Sequence, residues 1–227
     1  MDEGLELNDV KKTASEIDAE IRALPLQNSP SVRAMRRKYS RMLKTAEPEF
    51  VVEVARELVH NYGYRGSAYE LILFHKGAFR SLGEAELEDL GYGINSWWSV
   101  DSFARTLAGP AWRDGLVPDE LIHRWARSED RWWRRAALVS TVALNVRSRG
   151  GKGDVPRTLE VCRMLVDDHD DMVAKAMSWA LRELVVHDPQ AVREFLAEHD
   201  DVLAARVKRE VTNKLTTGLK NPRRKIN

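Results

Sequence analysis

The sequence predicts an all-α protein, a curved α-solenoid of antiparallel helix pairs, and three observations carry that expectation. Apolar residues recur with the 3.6-residue period almost throughout, and no stretch alternates strictly as a half-buried strand would. Helical patterns of about ten to twenty residues are joined by short turns that begin with capping residues or Pro. Two helix starts, at Asp130 and Asp171, lie about forty residues apart, the period of stacked helix pairs. A stack of this kind grows by adding pairs without dividing, so residues 1–227 read as one domain. Residues 1–28 form its N-terminal helical segment and residues 219–227 a frayed basic tail.

The elements follow in order. Residues 5–24 read as an amphipathic helix ended by Pro25. In the turn that follows, Ser29 can cap and Pro30 suits the first helical position, because Pro lacks the N–H that is unsatisfied there anyway. Residues 31–43 read as a helix carrying Arg33, Arg36, Arg37, Lys38 and Arg41, with Val32, Met35, Tyr39 and Leu43 for packing. Pro48 opens a helix to about His60, and residues 64–82 read as another. A short acidic helix over 84–90 ends at Gly91-Tyr92-Gly93. A helix then starts at Asn95 or Ser96 and runs to Leu107, where Gly109-Pro110 breaks the pattern. Further helices are expected over 119–127, 131–146, 156–166, from Asp171, over 189–199 and over 201–218. The stretch 147–153, with Arg147, Arg149, Lys152 and three glycines, reads as a flexible basic loop.

Composition excludes several classes. Hydrophobic residues make up 43% and charged residues 31%, enough for a core beneath much solvated helix surface. The single cysteine, Cys162, cannot form an internal disulfide and sits in an apolar pattern, which fits a reducing compartment. No basic-then-apolar leader pattern opens the sequence, and the longest apolar run, 136–146, is too short to span a bilayer. A cytoplasmic monomer without membrane contact is the expectation. The formal charge is only +1, yet the signs are segregated. Arginines and lysines gather around Arg36, around Arg131, Arg134 and Arg135, and in the 147–153 loop, while acids gather at 84–89 and 167–171. A locally positive surface would attract phosphates in spite of the near-neutral total.

Apparent catalytic motifs mostly dissolve. The dipeptides His169-Asp170, His187-Asp188 and His199-Asp200 each precede a helix, where Asp is a favoured cap, so they follow the helix–turn rhythm and no metal site is expected. Gly150-Gly151-Lys152-Gly153 lacks both the preceding strand and the Ser or Thr of a phosphate loop. The stretch Asn95-Ser96-Trp97-Trp98-Ser99-Val100-Asp101 is different. Trp97 and Asp101 are four residues apart and share a helix face, which offers an indole and an anion together. The Trp pairs at 97/98 and 132/133 cannot all point inward, because neighbours on a helix diverge. Aromatic surface beside arginines suits sugars and bases.

With Arg134-Arg135-Ala136-Ala137-Leu138 and Lys175-Ala176-Met177-Ser178-Trp179-Ala180-Leu181-Arg182-Glu183, that stretch resembles the AlkD-like DNA alkylation-repair glycosylases, built from HEAT-like repeats. Tyr64-Arg65-Gly66-Ser67-Ala68-Tyr69-Glu70 is similar to a degraded form of an earlier repeat motif, and the resemblance runs from about Ser29 to Leu215. It implies a monofunctional glycosylase acting on double-stranded DNA that contains N3- or N7-alkylated purines, bulky adducts included, without a cofactor and without flipping the base. Asp101 would match the catalytic carboxylate, Trp97 and Trp179 the aromatic pair at the sugar, and Arg135 (or adjacent Arg134) the phosphate-binding arginine. Arg36, Arg37, Arg149 and Lys152 are the further candidates for phosphate contact. The protein would be nucleoid-associated when bound. A non-catalytic binder of damaged or branched DNA and a protein-interaction scaffold are the alternative classes.

Overall fold

The computed structural model describes residues 3–26 and 28–222, and every regular element among them is helical. By their packing the residues divide into two compact units, Met1–Tyr92 and Gly93–Asn227. No helix among the described residues is long and apolar enough to cross a membrane. The basic tail expected from residue 219 lies outside the described residues beyond 222.

In the N-terminal unit, helix α1 (Glu3–Arg22) packs on α2 (Ser29–Met42) and α3 (Pro48–His60), and α4 (Arg65–Phe74) packs on both α2 and α3. Asn28 caps α2, its side chain accepting the Ser31 N–H, in place of the expected Ser29. The single helix expected over 64–82 is two, because His75 is extended (φ −105°, ψ 104°) and its ring nitrogen Nδ1 accepts the Ala78 N–H. That side-chain bond starts α5 (Lys76–Arg80) anew. Helix α6 (Glu84–Gly91) closes the unit, with the Glu86 carboxylate accepting the Gly83 N–H.

In the C-terminal unit, α7 (Trp97–Phe103) runs into a π-helical turn (Ala104–Ala108) and on into α8 (Gly109–Arg113). Beyond them lie α9 (Asp119–Ala126), α10 (Arg131–Asn145), α11 (Val155–Met164), α12 (Asp171–Leu184), α13 (Pro189–Glu198) and α14 (Ala205–Thr217). Helix α9 packs on α10 and α11, α10 on α12, and α12 on α11 and α14. Each helix thus meets its successor or the next but one, the connectivity of stacked helix pairs. Helix α10 is the hub. Arg135 to Asn145 are all buried, so this helix is enclosed on every side by α7, α8, α9, α11 and α12. Asp130, Asp154, Asp170 and Asp188 cap α10, α11, α12 and α13 through their side chains, as expected of acids at these turns. Helix α14 starts at Ala205, later than the expected Asp201.

Two further expectations are corrected. Gly109-Pro110 does not end the helix. Pro110 has no N–H to give and would clash with a carbonyl one turn back, but the π turn before it supplies an extra residue that relieves this conflict. Nor is the 147–153 loop loose. The Gly151 N–H bonds the Val146 carbonyl at 3.0 Å, and the Lys152 and Gly153 N–H groups bond the Leu144 carbonyl at 3.0 and 3.1 Å. The loop therefore satisfies the otherwise orphaned carbonyls at the end of α10. Gly150 (φ 91°) makes the left-handed turn that this fold-back needs, and Gly151 lies so close to Asn145 and Val146 that a Cβ would sit 2.6 Å from backbone.

Gly109 is the position where α8 touches the hub. A Cβ there would stand 2.6 Å from the Ser140 carbonyl oxygen and 2.8 Å from both the Ala104 oxygen and the Ala143 methyl. Gly109→Ala should therefore destabilise the protein by about 1–3 kcal/mol, the cost of overpacking a rigid contact. Denaturant unfolding checks this, and an unchanged midpoint would contradict the tight α8–α10 contact.

Candidate active site

The first turn of α7 is fixed by a reciprocal serine cap. Ser96 Oγ accepts the Ser99 N–H at 3.2 Å, while Ser99 Oγ accepts the N–H groups of Asn95 and Ser96 at 3.2 and 3.1 Å. Orphan donors at the helix start are thereby satisfied, and the indoles that follow need not turn inward to stabilise it. Trp97 and Trp98 are 58% and 53% exposed, unusual for the largest apolar side chain. Below them Val100 and Phe103 are fully buried, and Phe103 packs on Trp125 and Trp133 at centroid distances of 5.7 and 6.0 Å. Of the second Trp pair, Trp133 therefore belongs to packing, and Trp132 lies beneath the Arg131 guanidinium.

Asp101, one turn after Trp97, faces α10. Arg135 Nε donates to its Oδ1 and Arg135 Nη2 to its Oδ2, both at 3.0 Å, the two-pronged geometry that matches a planar guanidinium to a carboxylate. Arg135 Nη1 donates to the Met172 carbonyl at 2.6 Å, so one side chain joins α7, α10 and the first turn of α12. The pair is unevenly enclosed: 6% of the Arg135 side chain is exposed against 17% of Asp101. Its open end is the carboxylate. Burial raises the Asp101 pKa above the ordinary value of 3.8, outweighing the opposing pull of Arg135 and Arg105.

Trp179 on α12 joins the same site. Its indole N–H donates to Glu183 Oε1 at 2.9 Å, and the Arg105 guanidinium lies over its ring at 5.3 Å from the centroid. Arg105 also acts electrostatically on Asp101 and feels Glu183 and Arg149. Behind Trp179, the Ser178 hydroxyl donates to the buried Glu210 of α14 at 2.6 Å, which pins this face of α12. Asp101, Arg135, Arg105, Trp179 and Glu183 thus form one connected set, with Trp97 on the Asp101 face of α7.

The other expected residues fall elsewhere. Arg134 turns away from Asp101, bonding Asp168 at 2.7 Å and the carbonyls of Ser128 and Glu129. Arg149 and Lys152 are exposed on the tied-down loop. In the N-terminal unit Arg36 is buried, bonded to Glu70 at 2.8 Å and stacked on Phe74, whereas Arg37 is exposed. Arg105 and Glu183 were not among the expected site residues. Arg105 stands at helical spacing from Asp101, which could have flagged it, but its placement depends on the π turn. Among the described residues no three His, Cys, Asp or Glu side chains cluster as a cation site.

Comparison with known proteins gives the class. A family model described as DNA alkylation repair enzyme matches residues 26–215, so the chain belongs to that family. No curated protein is significantly similar to it.

Removal of the guanidinium should expose what the ion pair contributes. Arg135→Ala leaves Asp101 enclosed without its partner, at a cost of about 3 kcal/mol near neutral pH. The pH dependence has a definite sign. A carboxyl whose folded pKa is raised favours the folded state below its unfolded value, and that contribution is lost as pH rises through the folded value. Loss of Arg135 raises the folded pKa further, so the deficit should narrow on acidification. Denaturant melts of wild type and variant across the acidic range test it; a deficit independent of pH would assign the loss to packing alone.

Proposed function

We propose that the protein is a DNA glycosylase that hydrolyses the N-glycosidic bond of cationic N3- or N7-alkylated purines, bulky adducts included, in double-stranded DNA. The observation that carries this is the Asp101–Arg135 pair, less enclosed at its carboxylate end, in a chain of the alkylation-repair family. An alkylated purine of this kind already bears positive charge. Its bond to the sugar is weak, and the base leaves without a general acid or a cofactor. What needs stabilising is the cationic charge that grows on deoxyribose as the bond lengthens.

Asp101 supplies that stabilisation electrostatically and positions a water for attack at the anomeric carbon. Arg135 sets the carboxylate's orientation and keeps it ionised although burial works against ionisation. Its hydrogen-bonding edge is engaged by Asp101 and Met172, so the phosphate contact expected of it passes to cations at the surface of the same unit, Arg149 and Lys152 on the loop. The indole faces of Trp97 and Trp179 add cation–π attraction and C–H contact with the sugar. A site that grips sugar and backbone needs no deep base pocket, so the base stays stacked and bulky adducts fit.

Asp101→Asn keeps the size and shape of the group and removes its charge. Single-turnover excision from a duplex containing one 7-methylguanine should fall about a hundredfold or more. Affinity for the same duplex should stay equal or improve, because a charge of the same sign as phosphate is gone. Retained excision in this variant would move the catalytic role to another residue, and absence of excision by the wild type would remove the glycosylase assignment. Because Asp101 must be ionised, wild-type excision should also rise with pH through a limb above the ordinary Asp value of 3.8. That limb should disappear from the residual rate of the Asn variant; a limb common to both would belong to another group.

A further inference from the structure

The indole of Trp179 is held by more than packing. Trp112 is fully buried and donates its N–H to Asp119 at 2.6 Å, which satisfies a donor removed from water. Trp179 is only part-buried, yet its N–H also meets a carboxylate, Glu183 Oε1 at 2.9 Å, one turn further along α12. Among the described residues no cation forms an ion pair with Glu183, so the indole N–H is the partner its carboxylate has. The helix beneath is fixed independently. Ala180, Leu181 and Leu184 are fully buried, the Ser178 hydroxyl donates to Glu210 of α14, and Arg182 Nε donates to Ser178 Oγ at 3.2 Å. What a part-buried tryptophan on such a helix keeps is rotation of the ring about its own side-chain bonds, and the Glu183 bond removes it.

Orientation decides the sign of what an indole offers to a cation. The ring face is negative and the ring edge positive. A cation over the face is attracted, whereas one that meets the edge, at the N–H above all, is repelled. Glu183 occupies that N–H. The Arg105 guanidinium lies over the ring at 5.3 Å from the centroid, so the tethered indole already presents a face to positive charge.

We propose that Glu183 is a positioning residue, whose hydrogen bond fixes the Trp179 indole so that its face, and not its edge, meets the cationic charge growing on deoxyribose. The role rests on the glycosylase reading of the site. It acts through the geometry of the bond, so an uncharged acceptor of the same length should serve as well as the carboxylate.

The test needs no excision. Affinity is measured for two duplexes, one with a deoxyribose replaced by neutral tetrahydrofuran and one with the same sugar replaced by pyrrolidine, which is protonated near neutral pH. The ratio of the two Kd values reports preference for a cation at the sugar, and thermal melting of each variant checks folding. The wild type should favour the cationic duplex. Glu183→Leu should lose about tenfold of that preference, the scale of one hydrogen bond to a charged group, while Glu183→Gln stays within about twofold of the wild type. Affinity for the neutral duplex should not change. In a Trp179→Phe background, which has no N–H to hold, Glu183→Leu should have no further effect, because the two residues act as one unit. Glu183→Ala replaces the Leu variant if that one melts early. The proposal is overturned if Glu183→Leu keeps the preference, if Glu183→Gln loses as much as Leu, or if the loss persists in the Phe background. The last two results would mean that the charge of Glu183 acts on the sugar directly. A wild type that binds both duplexes equally overturns it as well. Excision of 7-methylguanine by the wild type is scored in parallel. Excision with a preference indifferent to Glu183 sinks the positioning role alone, and the expected pattern without excision sinks the glycosylase assignment alone.

Discussion

The C-terminal unit depends on one buried contact, the two-pronged ion pair between Asp101 and Arg135. Through it α7 is held to α10, and through the third Arg135 bond α10 is held to the start of α12. As a stabilising device the pair is poor, because removing two charges from water costs several kcal/mol each and apolar packing of the same volume often does as well. As a way to keep a carboxylate charged inside a protein it is effective. Burial pushes Asp101 toward the neutral form, and the guanidinium opposes that push while covering only one side of the carboxylate. A cation approaching from outside meets the anion first. The fold therefore keeps a negative charge, disfavoured by desolvation, with one side toward the exterior.

The architecture around the pair follows from local rules that a sequence displays openly. Caps were legible because Asp and Ser before an apolar run have few other uses: Ser96, Asp130 and Asp170 all cap as the pattern implies. The 3.6-residue period placed most helices, and the spacing of four residues put Trp97 and Asp101 on one face. The Trp pairs were legible only in part. Divergence of neighbours forced some indole surface outward, yet nothing local could say that Trp133 would pack on Phe103 and Trp125 while Trp97 and Trp98 stayed exposed.

What the sequence hid is tertiary in origin. Gly109-Pro110 looks like a terminus because Pro opposes the regular α pattern, and it is passed only because a π turn supplies another one. The 147–153 loop looks loose because glycines permit many conformations. It is ordered because the last carbonyls of α10 require donors and the glycine backbone can come close enough to give them. Arg135, or adjacent Arg134, reads as a phosphate contact only through the family resemblance. The partner of Arg135 is thirty-four residues away in the chain, so only packing reveals the engagement.

The same sorting explains how a protein of formal charge +1 can address a polyanion. Counting charges treats every arginine alike, but Arg36, Arg134, Arg135 and Arg157 each face a carboxylate and present little net field. Attraction to phosphate has to come from cations whose hydrogen-bonding edge is not already engaged. Arg105 and Arg149 meet that condition, and they lie on the two segments whose backbone departs from simple helix, the π turn and the glycine loop. Those departures carry an energetic cost that helix continuation would have avoided. They leave these cations without an acceptor among the described residues, and a surface so built depends on where its cations are left unpaired more than on how many it has.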